Sequence, residues 1–460
     1  MMKRLPTARR RSLAAVLSLL AGFSAIGPLR AAGLPGSLYV CDSNGDRVVR
    51  FTDLDGSGFV EPEVFGEILV YYDDASPGPD LSTPTHMARG PSDSFLLLDG
   101  GTKDAVLALR DSNGDGDAND EGEVWVFYDA SAGGPKLSTP NTLVRRADGS
   151  YAIADDGSAT QRILEIRDLN GDGDALDTDE NRILYDSTAL SVPLITDMEA
   201  LAAGSDGRLY VADNTLGGVF VLADGNHDGD YLDEGEQTLF YQSGGDLVLT
   251  NVDSLALDGT GAVLACDNDT GTVVRLADAN SDGDAQDPGE AQVFVGAGAA
   301  VAFKTITDIL LLEDGDLVLL DNSKDGVVVA HDANADGSAL DADETYRWIL
   351  DGGATLSTPS GMVLGPPVTA PPVARFIRAD ASGDGRIDIS DPVTTLGYLF
   401  LGRTLDACPD ALDSDDGGEV NISDAVYTLM FLFGGGSPPP PPFPDEGPDP
   451  TADGLDCQVR

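Results

Sequence analysis

Residues 111–123 read Asp111-Ser-Asn113-Gly-Asp115-Gly116-Asp117-Ala-Asn-Asp120-Glu-Gly-Glu123, with oxygen-bearing side chains on alternate positions and a glycine at the sixth. That spacing lets a short loop wrap carboxylates and carbonyls around one Ca²⁺-type cation. The pattern starts again at Asp168, Asp224, Asp278 and Asp332, and in degenerate form at Asp53. Consecutive good copies lie 54 to 57 residues apart, and a glutamate closes each at its thirteenth position. Five copies in register exclude chance. The candidate ligands are Asp111, Asn113, Asp115, Asp117 and Glu123; Asp168, Asn170, Asp172, Asp174 and Glu180; Asp224, Asn226, Asp228, Asp230 and Glu236; Asp278, Asn280, Asp282, Asp284 and Glu290; and Asp332, Asn334, Asp336 and Glu344. The competing reading is a set of acidic turns that hold no ion.

A fixed period of this length calls for a repeat architecture. Each unit holds four short β-type runs, in the second Pro84–Arg89, 94–99, 105–110 and 123–128, rich in Val, Leu, Ile and aromatics. Four strands per unit and six units predict an all-β fold, a six-bladed β-propeller over residues 37–365. The first unit begins at its second strand, Ser37-Leu-Tyr-Val-Cys41-Asp42. The missing strand is spelled after the sixth unit as Leu356-Ser-Thr-Pro…Leu364, matching Leu81-Ser-Thr-Pro and Leu137-Ser-Thr-Pro, so one strand from the end joins three from the start and closes the circle. The acidic loops then join the third and fourth strands and rim one face, far from the channel.

Composition narrows the partners. With 27 basic against 79 acidic residues the net charge is −52, which excludes nucleic acid and anionic membrane surfaces as partners. The hydrophobic share of 42% is enough to bury a core. At the N-terminus Lys3, Arg4 and Arg9–Arg11 precede an apolar run over 13–26, and small residues follow at Ala31 and Ala32. Residues 1–32 therefore read as a cleaved signal peptide, by a Sec or Tat route, with no membrane span after cleavage; an uncleaved anchor is the alternative. Export permits a Cys408–Cys457 disulfide closing about 50 residues, worth ~4 kcal/mol. Cys41 and Cys266 fall at the same strand position in non-adjacent blades, which predicts two buried free thiols.

At its second strands, Leu209-Tyr-Val-Ala-Asp213 with variants Leu38-Tyr-Val-Cys-Asp42 and Val263-Leu-Ala-Cys-Asp267, the chain resembles NHL and SMP-30/gluconolactonase-like propellers. Aligning the blades on that aspartate puts Thr85, Asn141, Glu199, Asp253, Thr307 and Ser360 at one level of the channel. The resemblance implies a catalytic divalent metal held by Asn141, Glu199 and Asp253. Departures are Ala200-Leu201 in place of the family's Gly-Pro after the glutamate, and Thr142 and Ser254 in place of glycine. Only three histidines occur, His86, His227 and His331, which leaves little material for a histidine relay.

After a Pro-rich linker at 366–373 comes a duplicated unit at 374–434, then an acidic Pro-rich tail at 435–460 containing Cys457. Two 12-residue loops start at Asp380 and Asp413, each followed by an apolar helical pattern: Val393, Leu396, Leu399 and Phe400, then Val426, Leu429, Met430 and Phe433. A loop-helix pair given twice, closing on Asp391 and Asp424, resembles a dockerin, a small α-helical EF-hand-type domain. The resemblance implies ligands Asp380, Ser382, Asp384, Asp388 and Asp391 with the carbonyl of Arg386, and Asp413, Asp415, Asn421 and Asp424 with that of Glu419. Gly417 stands where a side-chain ligand belongs, so the second site is expected to be weaker or to use Asp416. It further implies a cohesin-like partner met through Ile389-Ser390 and Ile422-Ser423. The expectation is thus a secreted or cell-surface calcium-binding scaffold carrying several Ca²⁺ ions and docked on a cohesin-like protein or surface component. The alternatives are a metal-dependent lactonase-like hydrolase using the propeller channel and a carbohydrate-processing component of polysaccharide degradation, with carbohydrate as a possible partner.

Overall fold

The computed structural model describes residues 34–366 and 376–447 apart from 63, 65, 102–103, 158–159, 191–194, 245–246, 350–355, 404–407 and 445–446, together with 455. The signal segment, most of the linker and Cys457 lie outside the described residues.

Six four-stranded antiparallel sheets form the blades. In chain order the strands are β1 (Leu38–Asp42), β2 (Arg47–Phe51) and β3 (Ile68–Asp73); β4 (Pro84–Arg89), β5 (Phe95–Asp99), β6 (Ala105–Leu109) and β7 (Val124–Tyr128); and β8 (Pro140–Arg145), β9 (Tyr151–Gly157), β10 (Thr160–Ile166) and β11 (Asn181–Asp186). They continue with β12 (Met198–Ala203), β13 (Leu209–Asp213), β14 (Gly218–Leu222) and β15 (Gln237–Gln242); β16 (Val252–Leu257), β17 (Val263–Asp267), β18 (Thr272–Leu276) and β19 (Ala291–Val295); and β20 (Ile306–Leu311), β21 (Leu317–Asp321), β22 (Gly326–Ala330) and β23 (Thr345–Arg347). The last, β24 (Pro359–Leu364), pairs antiparallel with β1, Leu38 opposite Leu364 and Tyr39 opposite Val363, so the first blade has the order β24-β1-β2-β3.

Strand residues are buried on both faces because blades stack face to face. Leu38–Asp42, Phe95–Asp99, Leu209–Asp213, Val263–Asp267 and Leu317–Asp321 are buried at every position, which is why they read as continuous apolar runs and not as alternation. Six apolar clusters fill the gaps between consecutive blades; Tyr39 and Tyr72 of the first, for example, pack with Phe95 and Leu107 of the second. Cys41 and Cys266 are buried free thiols in different clusters.

The repeated strand-end aspartate has a structural task. Asp155, fully buried, accepts the backbone N–H of Ser138 at 2.6 Å and of Thr139 at 2.8 Å, and pairs with Arg162 at 2.6 Å. Asp42, Asp99, Asp213 and Asp267 accept equivalent bonds from the segments entering the innermost strands. The Leu-Ser-Thr-Pro spelling and the distant Asp are therefore two halves of one turn.

The second unit has helices α1 (Ser390–Leu401), α2 (Pro409–Leu412) and α3 (Ile422–Leu429), with α1 packed on α3. Thr395 of α1 and Ala425 and Thr428 of α3 are each 1% exposed. Of the residues read as helical periodicity, Val393, Phe400, Val426, Met430 and Phe433 are more than half exposed, while Leu396, Leu399 and Leu429 are half-buried. The proline run is not a separate tail. Fully buried Arg378 donates to the Pro441 carbonyl at 2.9 Å, its backbone N–H reaches that of Pro442 at 2.7 Å, and Phe376 bridges Gly447. Cys408 is disulfide-bonded. Among the described residues no helix is long and apolar enough to cross a membrane.

Candidate metal centres

Each acidic loop is shaped by its first and thirteenth residues. In the loop between β6 and β7, Asp111 accepts the N–H of Gly116 at 2.9 Å, and Glu123, 1% exposed, accepts that of Ser112 at 2.7 Å. Gly173, Gly229, Gly283 and Gly337 donate in the same way to Asp168, Asp224, Asp278 and Asp332 at 2.9 to 3.1 Å. Glu180, Glu236, Glu290 and Glu344 are likewise buried and accept from the second residue of their loops. Glycine is required at position six: Gly116 has φ +104°, and a Cβ there would lie 2.8 Å from Arg50.

The tightest oxygen groups differ in part from the sequence expectation. Asp115, Asp120 and Glu123 bring carboxylate oxygens within 4.8 Å of one another, as do Asp168, Asp172 and Glu180. Position ten was not anticipated. Asp120, Asp177, Asp233, Asp287 and Asp341 each accept from the loop asparagine's amide, Asn113, Asn170, Asn226, Asn280 and Asn334 in turn. At position seven Asp117, Asp174, Asp230 and Asp284 accept the backbone N–H two residues ahead. The degenerate loop gathers Asp53, Asp55 and Glu67. Glu67, fully buried, takes the closing role two residues late, accepting from Leu54 at 2.9 Å and Glu61 at 2.8 Å.

This donor set fits a hard divalent cation. Every candidate ligand is oxygen, and the ion pairs of the propeller, such as Arg146–Glu165 and Arg275–Asp258, lie elsewhere. Among the described residues no Lys or Arg forms an ion pair with the converging loop carboxylates.

The two loops of the helical unit repeat the arrangement. Asp380 accepts from Gly383 at 2.9 Å and Gly385 at 2.7 Å, while Asp391, 1% exposed, accepts from Ser382 at 3.0 Å and Asp388 at 2.7 Å. Asn421 caps α3, accepting from Ser423 at 2.8 Å, and Asp388 accepts the N–H of Ser390 at the start of α1 at 2.7 Å. Asp384 accepts the N–H of Arg386 at 2.9 Å. In the second loop Asp413, Asp415 and Asp424 converge within 4.8 Å. Burial and these two neighbours push the Asp424 carboxyl up, the mark of acids crowded without a counter-charge. Asp416 does not help here, because its side chain is drawn to Arg378 at 2.9 Å. Asn421 also donates to the Glu419 carbonyl at 3.2 Å.

In the channel, Asn141 donates to Glu199 at 2.9 Å. Burial, then the charges of Asp253, Asp156 and Asp197, push Glu199 up to about 7. Asp156, Asp197 and Glu199 bring carboxylate oxygens within 4.8 Å of one another, and Asp253 lies near enough for its charge to act on Glu199. Asp253 is held by the Asn268 amide, and burial raises it to about 6. The traces of the missed pair were the Asp155-Asp156 doublet ending β9 and an aspartate one residue before β12. At the same level Thr307 and Ser360 donate to the carbonyls of Pro359 and Pro84 at 2.9 and 2.8 Å, tying neighbouring innermost strands.

No protein-family model matches the chain, and no curated protein matches it. Solved structures similar to it include a nidogen/laminin complex, at 12% identity and TM-score 0.47, covering 71% of this chain and 97% of that one. A gluconolactonase from Xanthomonas campestris is 17% identical with TM-score 0.40, over 62% of this chain and 79% of that one. A virginiamycin B lyase from Staphylococcus aureus is 12% identical with TM-score 0.41, over 69% and 82%. The fold itself rests on the sheets described above.

Proposed function

We propose that the chain is an exported calcium-binding propeller that serves as a scaffold or binding protein, anchored through its C-terminal dockerin-like unit to a cohesin-like partner or the cell surface. The observation that carries this reading is the same oxygen-lined loop built five times, each closed by a buried glutamate. Calcium is the ion that suits many carboxylate and carbonyl oxygens in a flexible loop. The docking half is supported by exposed apolar side chains, of which Ile389 is 52%, Ile422 56% and Phe433 72% exposed. Large apolar side chains left exposed in one small unit suit an interaction surface. Ile389→Asp combined with Ile422→Asp tests it: calcium-dependent binding to a cohesin-fold protein or to cell envelopes is expected to fall at least about tenfold, with folding unchanged by circular dichroism. Equal binding by the double variant contradicts the docking assignment.

A second reading, a metal-dependent lactonase-like hydrolase, is favoured by one observation, the convergence of Asp156, Asp197 and Glu199 beside Asn141. In it these four would hold a divalent ion whose role is to polarise a carbonyl. Loss of one bound ion together with lactone hydrolysis in Glu199→Ala supports this reading; an unchanged ion count supports the scaffold. A part in polysaccharide degradation rests only on the company such modules keep.

A further inference from the structure

The acidic loops touch more than their own blades. In the first five blades the outer ladder slips by one residue, leaving Tyr71, Phe127, Leu184, Phe240 and Phe294 as bulged residues of β3, β7, β11, β15 and β19. A bulged residue is unpaired within its own ladder. The carbonyl of each accepts the backbone N–H of position eight in the next blade's loop: Ala118, Ala175, Tyr231, Ala285 and Ala339, at 2.8, 2.8, 2.8, 2.8 and 2.7 Å. All five donors are at most 1% exposed, and each shares an apolar cluster with the residue it reaches. Position six adds a second contact in two loops, where Trp125 donates to the Gly173 carbonyl at 2.8 Å and Arg50 donates to that of Gly116. The circle is completed by loop 53–67, in which fully buried Val60 donates to the Trp348 carbonyl at 2.9 Å and bridges Ile349 of the last blade.

We propose that these loops are clasps: an ion bound in one loop locks its blade to the preceding blade. This rests on the calcium reading above and adds what the ion does. Positions one, three and five precede the clasping residue, and positions ten and thirteen follow it. A cation held by both groups fixes position eight against the bulge, since binding energy for a site that exists only in the closed loop is energy for closing it. Without the cation the converging carboxylates repel, and the loop's two halves separate from the bulge between them. The Val60 contact makes loop 53–67 the outer counterpart of the β24–β1 pairing.

Hydrogen–deuterium exchange on the full chain, with and without a chelator and with bound calcium counted in parallel, tests the proposal. Removing calcium is expected to speed exchange at Ala118, Ala175, Tyr231, Ala285 and Ala339 by about tenfold or more, while Leu209–Asp213 in an inner strand stays protected. Glu180→Gln is expected to release one ion and deprotect Ala175 alone. If the ions leave and the five amides stay as protected as the inner strands, the clasp is wrong and the calcium reading stands. If no calcium is ever bound and the chelator changes nothing, both fall.

Discussion

At the scale of single residues the account turns on buried carboxylates that face one another. Glu123 is the sharpest case, because it is 1% exposed yet shares its oxygens' neighbourhood with Asp115 and Asp120. Glu123→Gln keeps the shape and the bond from Ser112 but removes a charge. It is expected to cost one ion and, at calcium a hundredfold above the dissociation constant, about 2.7 kcal/mol of stability, with no loss in chelator. Urea unfolding in calcium and in chelator checks both halves. In the channel, Glu199 is raised from 4.5 to about 7, so its neutral form belongs to the folded state. Its contribution to stability is therefore complete below about pH 4.5 and is lost as pH rises toward 7. In chelator, Glu199→Gln is expected to match the parent at low pH and exceed it at pH 8 by about 1–2 kcal/mol after solvent screening. Unfolding curves at the two pH values decide it. The loop oxygens at positions one, three, five and thirteen were legible as a repeated spacing. Position ten was not: Asp120 joins Glu123 only because the chain turns back between them, which no alternation spells. Asp156 and Asp197 were hidden in the same way, on different blades.

At the scale of elements, local spelling was a good guide where both faces of a strand are buried and a poor one where contacts cross between blades. The apolar runs marked the strands, and the repeated aspartate marked their ends. What that aspartate does depends on a segment 16 to 17 residues earlier, as in the Asp155 bonds from Ser138 and Thr139. Asp155→Ala leaves those two donors and Arg162 without their acceptor and is expected to destabilise the propeller by about 3 kcal/mol, measured as a shift in the urea midpoint. The small residue at position eight was visible as Ala118, Ala175, Ala285 and Ala339, but its reason was not. The bulge that receives it arises from backbone pairing, and side-chain pattern carries little trace of pairing register. In the helical unit the sequence pattern marked helices at α1 and α3 but did not say which residues they bury. Thr395, Gly397 and Thr428 are among the buried residues there, whereas Val393, Phe400, Val426, Met430 and Phe433 are more than half exposed.

At the scale of the whole molecule, six blades followed from a period near 55 residues, counted over the loops in the sequence. The charge of −52 finds its physical sense here as well, since much of it sits in loops whose carboxylates converge, among the described residues without a basic partner. A chain in which every blade carries such a loop has its fold linked to its ions at many points. Differential scanning calorimetry of the full chain, with and without chelator and with bound calcium counted on the same samples, addresses that linkage directly. The account predicts one ion for each of the five complete propeller loops, further ions in the helical unit, and a large fall in melting temperature of both units on chelation. A calcium count near zero with superimposable melting curves would contradict it.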